Sequence, residues 1–228
     1  MLEKIPTTSS REQKVVIPAI EALREPLGII LEQIKPDIET GSYSMVLGID
    51  GSGRVPALVI GGVVKEIYKK NGENVDIKFL TGSRRMSESL QDIKRNEIKE
   101  HVIKWNLDQS KRILLVDDTL ASGNSIKLIC DVLKEVGYKF DVAAVGWTRS
   151  NSGRDEEYVR EFLGAERLVI GSVGIPEIYH RPDLSGVEKK SQELFANRYE
   201  EDDNNVGEAR GQGKELSHDL AEKLINEE

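Results

Sequence analysis

Two adjacent carboxylates, Asp117 and Asp118, follow the apolar run Ile113 to Val116. They precede Thr119, Leu120, Ala121, Ser122, Gly123, Asn124 and Ser125. Small and hydroxyl residues around a glycine let successive backbone N–H groups converge on an anion at a helix N-terminus, where unpaired donors and the helix dipole both favour phosphate. Carboxylates beside such a cradle repel phosphate, so they are expected to face sugar hydroxyls or a hydrated metal ion. A second loop is built the same way. Asp50, Gly51, Ser52, Gly53 and Arg54 close the predicted strand Ser42 to Asp50 and open an apolar helix, Val55 to Tyr68, whose Pro56 stands in the first turn. Glycines there permit close backbone approach and unusual φ/ψ values, and taken alone the Gly-x-Gly reads equally well as a purely structural turn.

The elements that must hold these loops follow from apolar patterning. Short apolar, β-branched runs near 43–50, 75–81, 112–117, 140–147 and 167–173 alternate with helical spacing, as in Ile126, Ile129, Cys130 and Leu133. Alternation of this kind argues for an α/β fold: an open, mostly parallel sheet of about five strands with helices on both faces and right-handed crossovers. Ligands of such sheets sit beyond the carboxyl ends of the strands, where Asp50, Thr81, Asp117 and Trp147 all fall. The polar stretch Ser83 to Ser89 breaks both periodicities. After it, Leu90 to Trp105 reads as an amphipathic helix packing through Leu90, Ile93, Val102 and Trp105.

Residues 1–40 read as an N-terminal helical segment divided at Pro18 and Pro26. Residues 41–198 form the α/β domain, in which Gly174 to Ser185 is irregular and contains two prolines. Residues 199–228 read as an acidic tail, with a disordered linker over 199–213 and a short helix from Glu215 to Asn226.

Composition removes several classes of function. The chain has 228 residues and a formal charge of −8, but residues 200–228 alone hold ten acids against three bases, so the body is nearly neutral. Neither part offers the basic surface of a nucleic-acid binder. No apolar run approaches the roughly 20 residues of a membrane span, and the N-terminus lacks an apolar signal core. The single cysteine, Cys130, excludes an intramolecular disulfide and fits a cytoplasmic setting. His101, His180 and His218 are scattered without ligand spacing, which argues against a histidine-built metal site.

The order of apolar residues, two acids, then small and hydroxyl residues around a glycine resembles the signature of the type I phosphoribosyltransferases. That resemblance implies that Asp117 and Asp118 hold the ribose hydroxyls of phosphoribosyl diphosphate (PRPP), and that Thr119 to Ser125 bind its 5-phosphate. It also implies that the loop from Asp50 to Arg54 binds the diphosphate, although Gly51 stands where many relatives carry a base. Ser83 to Ser89 takes the place of a mobile lid, with Arg84 and Arg85 facing the departing diphosphate. A small hood over the acceptor is expected from Gly174 to Ser185, with Tyr179, His180 and Arg181 as candidate contacts, joined by Trp147. The resemblance further implies Mg²⁺ as cofactor, held largely by PRPP, with Asp117 and Asp118 acting on it indirectly through PRPP and water. The partners implied are PRPP and a small-molecule acceptor, with no nucleic acid and no membrane, in a homodimer. Alanine at position 121 disfavours 6-oxopurine acceptors, since such relatives commonly carry aspartate there. The expected activity is phosphoribosyl transfer from PRPP to a nitrogen acceptor. A non-catalytic PRPP or nucleotide sensor on the same fold is the alternative, and PRPP synthesis, which predicts a longer duplicated chain, is a third.

Overall fold

The computed structural model describes residues 16–82, 87–148, 155–188, 193–199 and 203–226. Its elements are α1 (Pro18–Glu21), α2 (Arg24–Glu39), β1 (Tyr43–Ile49), α3 (Arg54–Lys70), β2 (Asp76–Leu80), α4 (Glu88–Lys104), β3 (Arg112–Leu120) and α5 (Lys127–Val136). These are followed by β4 (Phe140–Trp147), α6 (Glu156–Leu163), β5 (Arg167–Val173), α7 (Pro182–Ser185), β6 (Val187–Glu188), β7 (Asn197–Arg198) and α8 (Asp203–Asn226). β1 to β5 form one parallel sheet in the order β2-β1-β3-β4-β5, and β6 and β7 pair separately as a short antiparallel ribbon.

The central strands β1, β3 and β4 are buried along nearly their whole length, which is why they read as continuous apolar runs. Alternation survives in the side each residue faces. Leu114 and Val116 of β3 join a core built with α2, α3 and α8, whereas Ile113 and Leu115 join the core under α4, α5 and α6. Helices therefore cover both faces. The N-terminal segment breaks at Ala22 and Leu23, between its two early prolines. Pro18 opens α1 and Pro26 stands in the first turn of α2, where a missing N–H removes no helical bond. Beyond that turn Leu27, Ile30, Leu31, Ile34 and Ile38 form the buried stripe that seats α2 on the sheet.

Two elements differ from the sequence-based expectation. α4 packs through Lys94, Ile98 and Val102, an i, i+4 seam, while Ile93 is more than half exposed. The expected stripe through Leu90 and Ile93 is rotated from the real one because a lysine occupies a core position. The acidic C-terminal segment is also not a linker up to residue 213. From Asp203 onward it is a single helix whose Ala209, Leu216, Leu220, Ala221 and Leu224 are buried against α2 and α3, while Val206 is buried beside Gly186. Gly207, Gly211 and Gly213 each cost about 1 kcal/mol relative to alanine in a helix interior and obscure the pattern, and the apolar stripe outweighs them. No helix among the described residues is long and apolar enough to cross a membrane.

The amino ends of the strands carry an ionic cluster around a buried carboxylate. Asp141, the second residue of β4, accepts a hydrogen bond from the Tyr43 hydroxyl at 2.7 Å and pairs with Arg112 at 3.1 Å and Arg167 at 3.3 Å. Asp37 of α2 pairs with both arginines. Burial, and then the Asp141 carboxylate, hold the Tyr43 hydroxyl well above the ordinary tyrosine range. This cluster fastens α2 to the amino-end edge of the sheet, opposite the edge where the candidate residues gather.

Candidate functional site

The strand order reverses direction at β1, and there a crevice opens between β1 and β3. Pairing of β1 with β3 runs up to Gly48 opposite Val116, whereas β3 continues along β4 as far as Leu120 opposite Trp147. β1 has by then turned away into the loop Asp50 to Gly53. The gap is a cleft of about 440 Å³. Three groups line it: Asp50 to Gly53 after β1, Asp117, Asp118, Thr119 and Ser125 at and after the end of β3, and Tyr179 to Pro182 with Ser185, Val187 and Glu188 from the segment that follows β5.

Asp117 and Asp118 are 4% and 5% exposed. The Asp118 N–H donates to Asp117 Oδ1 at 2.9 Å, and the Thr119 hydroxyl donates to Asp118 Oδ2 at 3.4 Å. Among the described residues no lysine or arginine pairs with Asp118, so its charge faces the cleft without a neighbouring cation. The loop after β1 lies directly against this pair. A Cβ on Gly53 would fall 2.6 Å from the Ile49 carbonyl oxygen and 3.2 Å from Asp117 Oδ1, so only glycine fits.

Both loops leave backbone donors unspent. Among the described residues the N–H groups of Ser52 and Gly53, and those of Ser122, Gly123 and Ser125, make no hydrogen bond. Gly123 turns the second loop at φ +75°, and its carbonyl accepts from the N–H groups of Ile126 and Lys127, starting α5. Strand β3 is longer than the apolar run suggests. Thr119 and Leu120 belong to it rather than to the loop, and the Leu120 side chain is fully buried in the core, so it contacts no ligand. Of the segment Thr119 to Ser125, Thr119 and Ser125 line the cleft. Ala121, Ser122, Gly123 and Asn124 form the turn between them.

Two further expectations change. Arg54 does not line the cleft. Its guanidinium is held by Asp50, Nε to Oδ1 at 2.7 Å and Nη2 to Oδ2 at 3.0 Å, and lies 4.3 Å from the centre of the Phe79 ring. A bidentate pair with a carboxylate only 3% exposed is a stronger anchor than an open cleft, and an i, i+4 step across the start of α3 brings the two together. Trp147 does not line it either, because its ring is buried in the core at the end of β4. Tyr179, by contrast, lines the cleft, with its ring 4.0 Å from that of His180. The His180 N–H donates to the Ser52 hydroxyl at 3.4 Å, tying this segment to the loop after β1. Arg181 is paired with Asp183 at 2.7 Å, an interaction that holds the Asp183 carboxyl below the usual range. Arg84 and Arg85 lie outside the described residues.

Sequence reasoning missed the contacts behind the first loop. Lys94, 1% exposed, donates to the Thr81 hydroxyl at 2.8 Å and to the Glu193 carbonyl at 3.0 Å. The Thr81 N–H donates to the Leu194 carbonyl at 2.9 Å, which pins residues 193–196 at the end of β2. From there the Ala196 N–H donates to Asp50 Oδ2 at 3.3 Å. The signal available was Lys94 standing in register with Ile98 and Val102. Ser185 ends the expected hood segment, whereas Glu188 carried no signal, because a stretch without periodicity brings it to the cleft.

No group of three or more histidine, cysteine or acidic side chains among the described residues is placed to cage a metal ion. Asp117 and Asp118 nevertheless offer hard oxygen donors, deeply set and with Asp118 lacking a paired cation. They fit a hydrated Mg²⁺ bound mainly by a ligand's phosphates.

A family model described as a phosphoribosyl transferase domain matches residues 19–166, from α1 through α6, and contains both loops and the acidic pair. No curated protein matches the sequence. Among solved structures, a purine phosphoribosyltransferase from Pyrococcus horikoshii Ot3 is 13% identical with a TM-score of 0.37, covering 70% of this chain and 86% of that one. The phosphoheptose isomerase GmhA from Neisseria gonorrhoeae is 10% identical with a TM-score of 0.37, covering 91% and 93%. With the family model spanning well over half of its length, the chain belongs to the phosphoribosyl transferase domain family.

Proposed function

We propose that the protein transfers the 5-phosphoribosyl group of PRPP to a nitrogen acceptor, a nucleobase being the class considered first, with release of diphosphate. The observation that carries this reading is the convergence on one cleft of a buried acidic pair and two loops with unspent backbone donors. The acids accept hydrogen bonds from the two ribose hydroxyls. The donors after β3 hold the 5-phosphate, and those of Ser52 and Gly53 hold the diphosphate.

In the reaction the acceptor nitrogen's lone pair attacks C1 while the C1–O bond to diphosphate breaks, and the bonding electrons leave with the diphosphate. Positive charge develops on the sugar ring, and Asp117 and Asp118 stabilise it where it forms. Holding both phosphates and both hydroxyls fixes C1 in line with the acceptor, so positioning supplies much of the remaining rate. Bound Mg²⁺ would neutralise charge on the leaving diphosphate, with Asp117 and Asp118 reaching it through PRPP and water. The Tyr179 to Ser185 segment supports an acceptor-facing wall, with Tyr179 as its aromatic surface.

Diphosphate release from PRPP should appear with at least one base in a panel of purines and pyrimidines, and should disappear when Mg²⁺ is chelated. One observation favours the second reading, a non-catalytic PRPP sensor. Among the described residues the bases lining the cleft are His180 and the Asp183-paired Arg181, so within those residues little cationic help faces a leaving group, while Arg84 and Arg85 lie outside them. Tight PRPP binding with no release from any acceptor would decide for the sensor.

A further inference from the structure

A second cavity of about 440 Å³ lies between α3 and α8 and shares Ser185 with the cleft. Val55, Leu58 and Val59 of α3, Leu184 of α7 and Ala209 of α8 give it an apolar wall. Its charged positions are three bases, Arg54, Arg210 and Lys214, with no acid among them. That sign runs against the rest of the molecule. The chain has 40 acids to 32 bases, and residues 200–228 contain only Arg210, Lys214 and Lys223 as bases. Lys223 is paired with Glu32 at 3.2 Å. Arg210 and Lys214 make no ion pair or hydrogen bond among the described residues, although acids surround them in sequence. Gly213 opens the space further. A Cβ built there meets only Val59, at 3.8 Å, an ordinary contact, so the wall has open space beside it.

We propose that this cavity is a second ligand site, for a small organic anion with an apolar body, and that it acts on the cleft through Arg54. The apolar wall takes the body and the bases take the anionic group, the usual division of labour in a small-molecule pocket. Arg54 belongs to both regions: it lines this cavity, and its guanidinium holds Asp50, which lines the cleft. An anion in the cavity competes with Asp50 for that guanidinium. With Arg54 drawn away, the Asp50 carboxylate stands uncompensated beside Gly51 to Gly53 and repels a phosphate there. Coupling is therefore negative, and by linkage each ligand weakens the other by the same factor. The coupling rests on the phosphoribosyl reading, whereas the cavity itself does not.

Anilinonaphthalene sulfonate, a sulfonate on an apolar aromatic body whose fluorescence rises out of water, is a suitable probe for the full chain. Gly213→Leu fills the cavity while favouring the helix, and Lys214→Glu reverses charge at its edge. Each should weaken probe binding by about 10-fold or more, a loss read directly as a shifted titration midpoint. Circular dichroism melts establish that both variants are folded. Unchanged probe affinity in folded Gly213→Leu overturns the site, because the probe then sits elsewhere. For the coupling, PRPP is titrated calorimetrically with and without saturating probe. A several-fold weaker PRPP affinity in the natural sequence and none in Gly213→Leu supports it, and equal affinities overturn it. Absence of PRPP binding without probe overturns the coupling together with the phosphoribosyl reading, and the fluorescence titration still decides the cavity.

Discussion

Asp118 has a buried carboxylate, a hydroxyl at 3.4 Å and no paired cation among the described residues, a costly position unless a ligand repays it. Asp118→Ala should abolish PRPP binding in calorimetry while leaving the thermal melt cooperative; unchanged affinity would remove the pair from the site. Gly53 tests the geometry rather than the charge. In Gly53→Ala the new methyl group meets the rigid Ile49 carbonyl, so the loop must move off Asp117. PRPP affinity should fall by roughly 10-fold, equivalent to about 1.4 kcal/mol, with intact secondary structure. At this scale the acidic pair was readable because its neighbours in sequence are its neighbours in space. Arg54 was not, since whether a base faces a ligand or a carboxylate four residues back depends on how the strand hands over to the helix. Cys130 falls in the apolar spacing of α5 and is a core residue. It is fully buried, and burial raises its thiol above the ordinary range, so thiol reagents should modify it only after unfolding.

Each strand expected from the apolar runs is present within a few residues, because parallel strands buried on both faces leave an unbroken apolar signature. Helices gave less because their faces are set by neighbours. In α4 a lysine takes a core position and rotates the seam, and in α8 charges and glycines hide a stripe that only the surface of α3 makes worthwhile. That stripe makes α8 part of the fold rather than an appendage. Leu220, 5% exposed and set among α2 and α3 residues, fills the centre of the contact. Leu220→Ala should cost about 2–5 kcal/mol, the range for deleting a buried leucine, seen as a lower denaturation midpoint in urea. A loss under 0.5 kcal/mol would return α8 to the status of a loosely attached tail.

The molecule as a whole separates its charges by purpose. At the amino ends of the strands, Asp141 is buried with partners on every side: Tyr43, Arg112 and Arg167, with Asp37 completing the pairing of both arginines. At the carboxyl ends Asp117 and Asp118 lie side by side in an open cleft, the second with no base attached. The first arrangement serves stability. Asp141 is the buried carboxylate of the cluster, and Asp141→Asn replaces its charge-assisted bonds while Arg112 and Arg167 stay partly exposed and paired with Asp37, so it should cost about 1.5–3 kcal/mol, with PRPP affinity in the surviving folded fraction unchanged. Asp118→Asn should do the reverse. It relieves repulsion between adjacent carboxylates and raises stability by up to about 1 kcal/mol, while PRPP binding is lost. Paired denaturation and calorimetry on the two variants separate these outcomes. If both variants lose stability and keep PRPP affinity, the carboxyl-end acids are structural and the cleft is not the PRPP site. If the opposition holds, the cost of like charges at one end of the sheet is offset in the total by the ionic cluster at the other, about the length of a strand away. A function-bearing pair of like charges can then persist in a fold of ordinary stability.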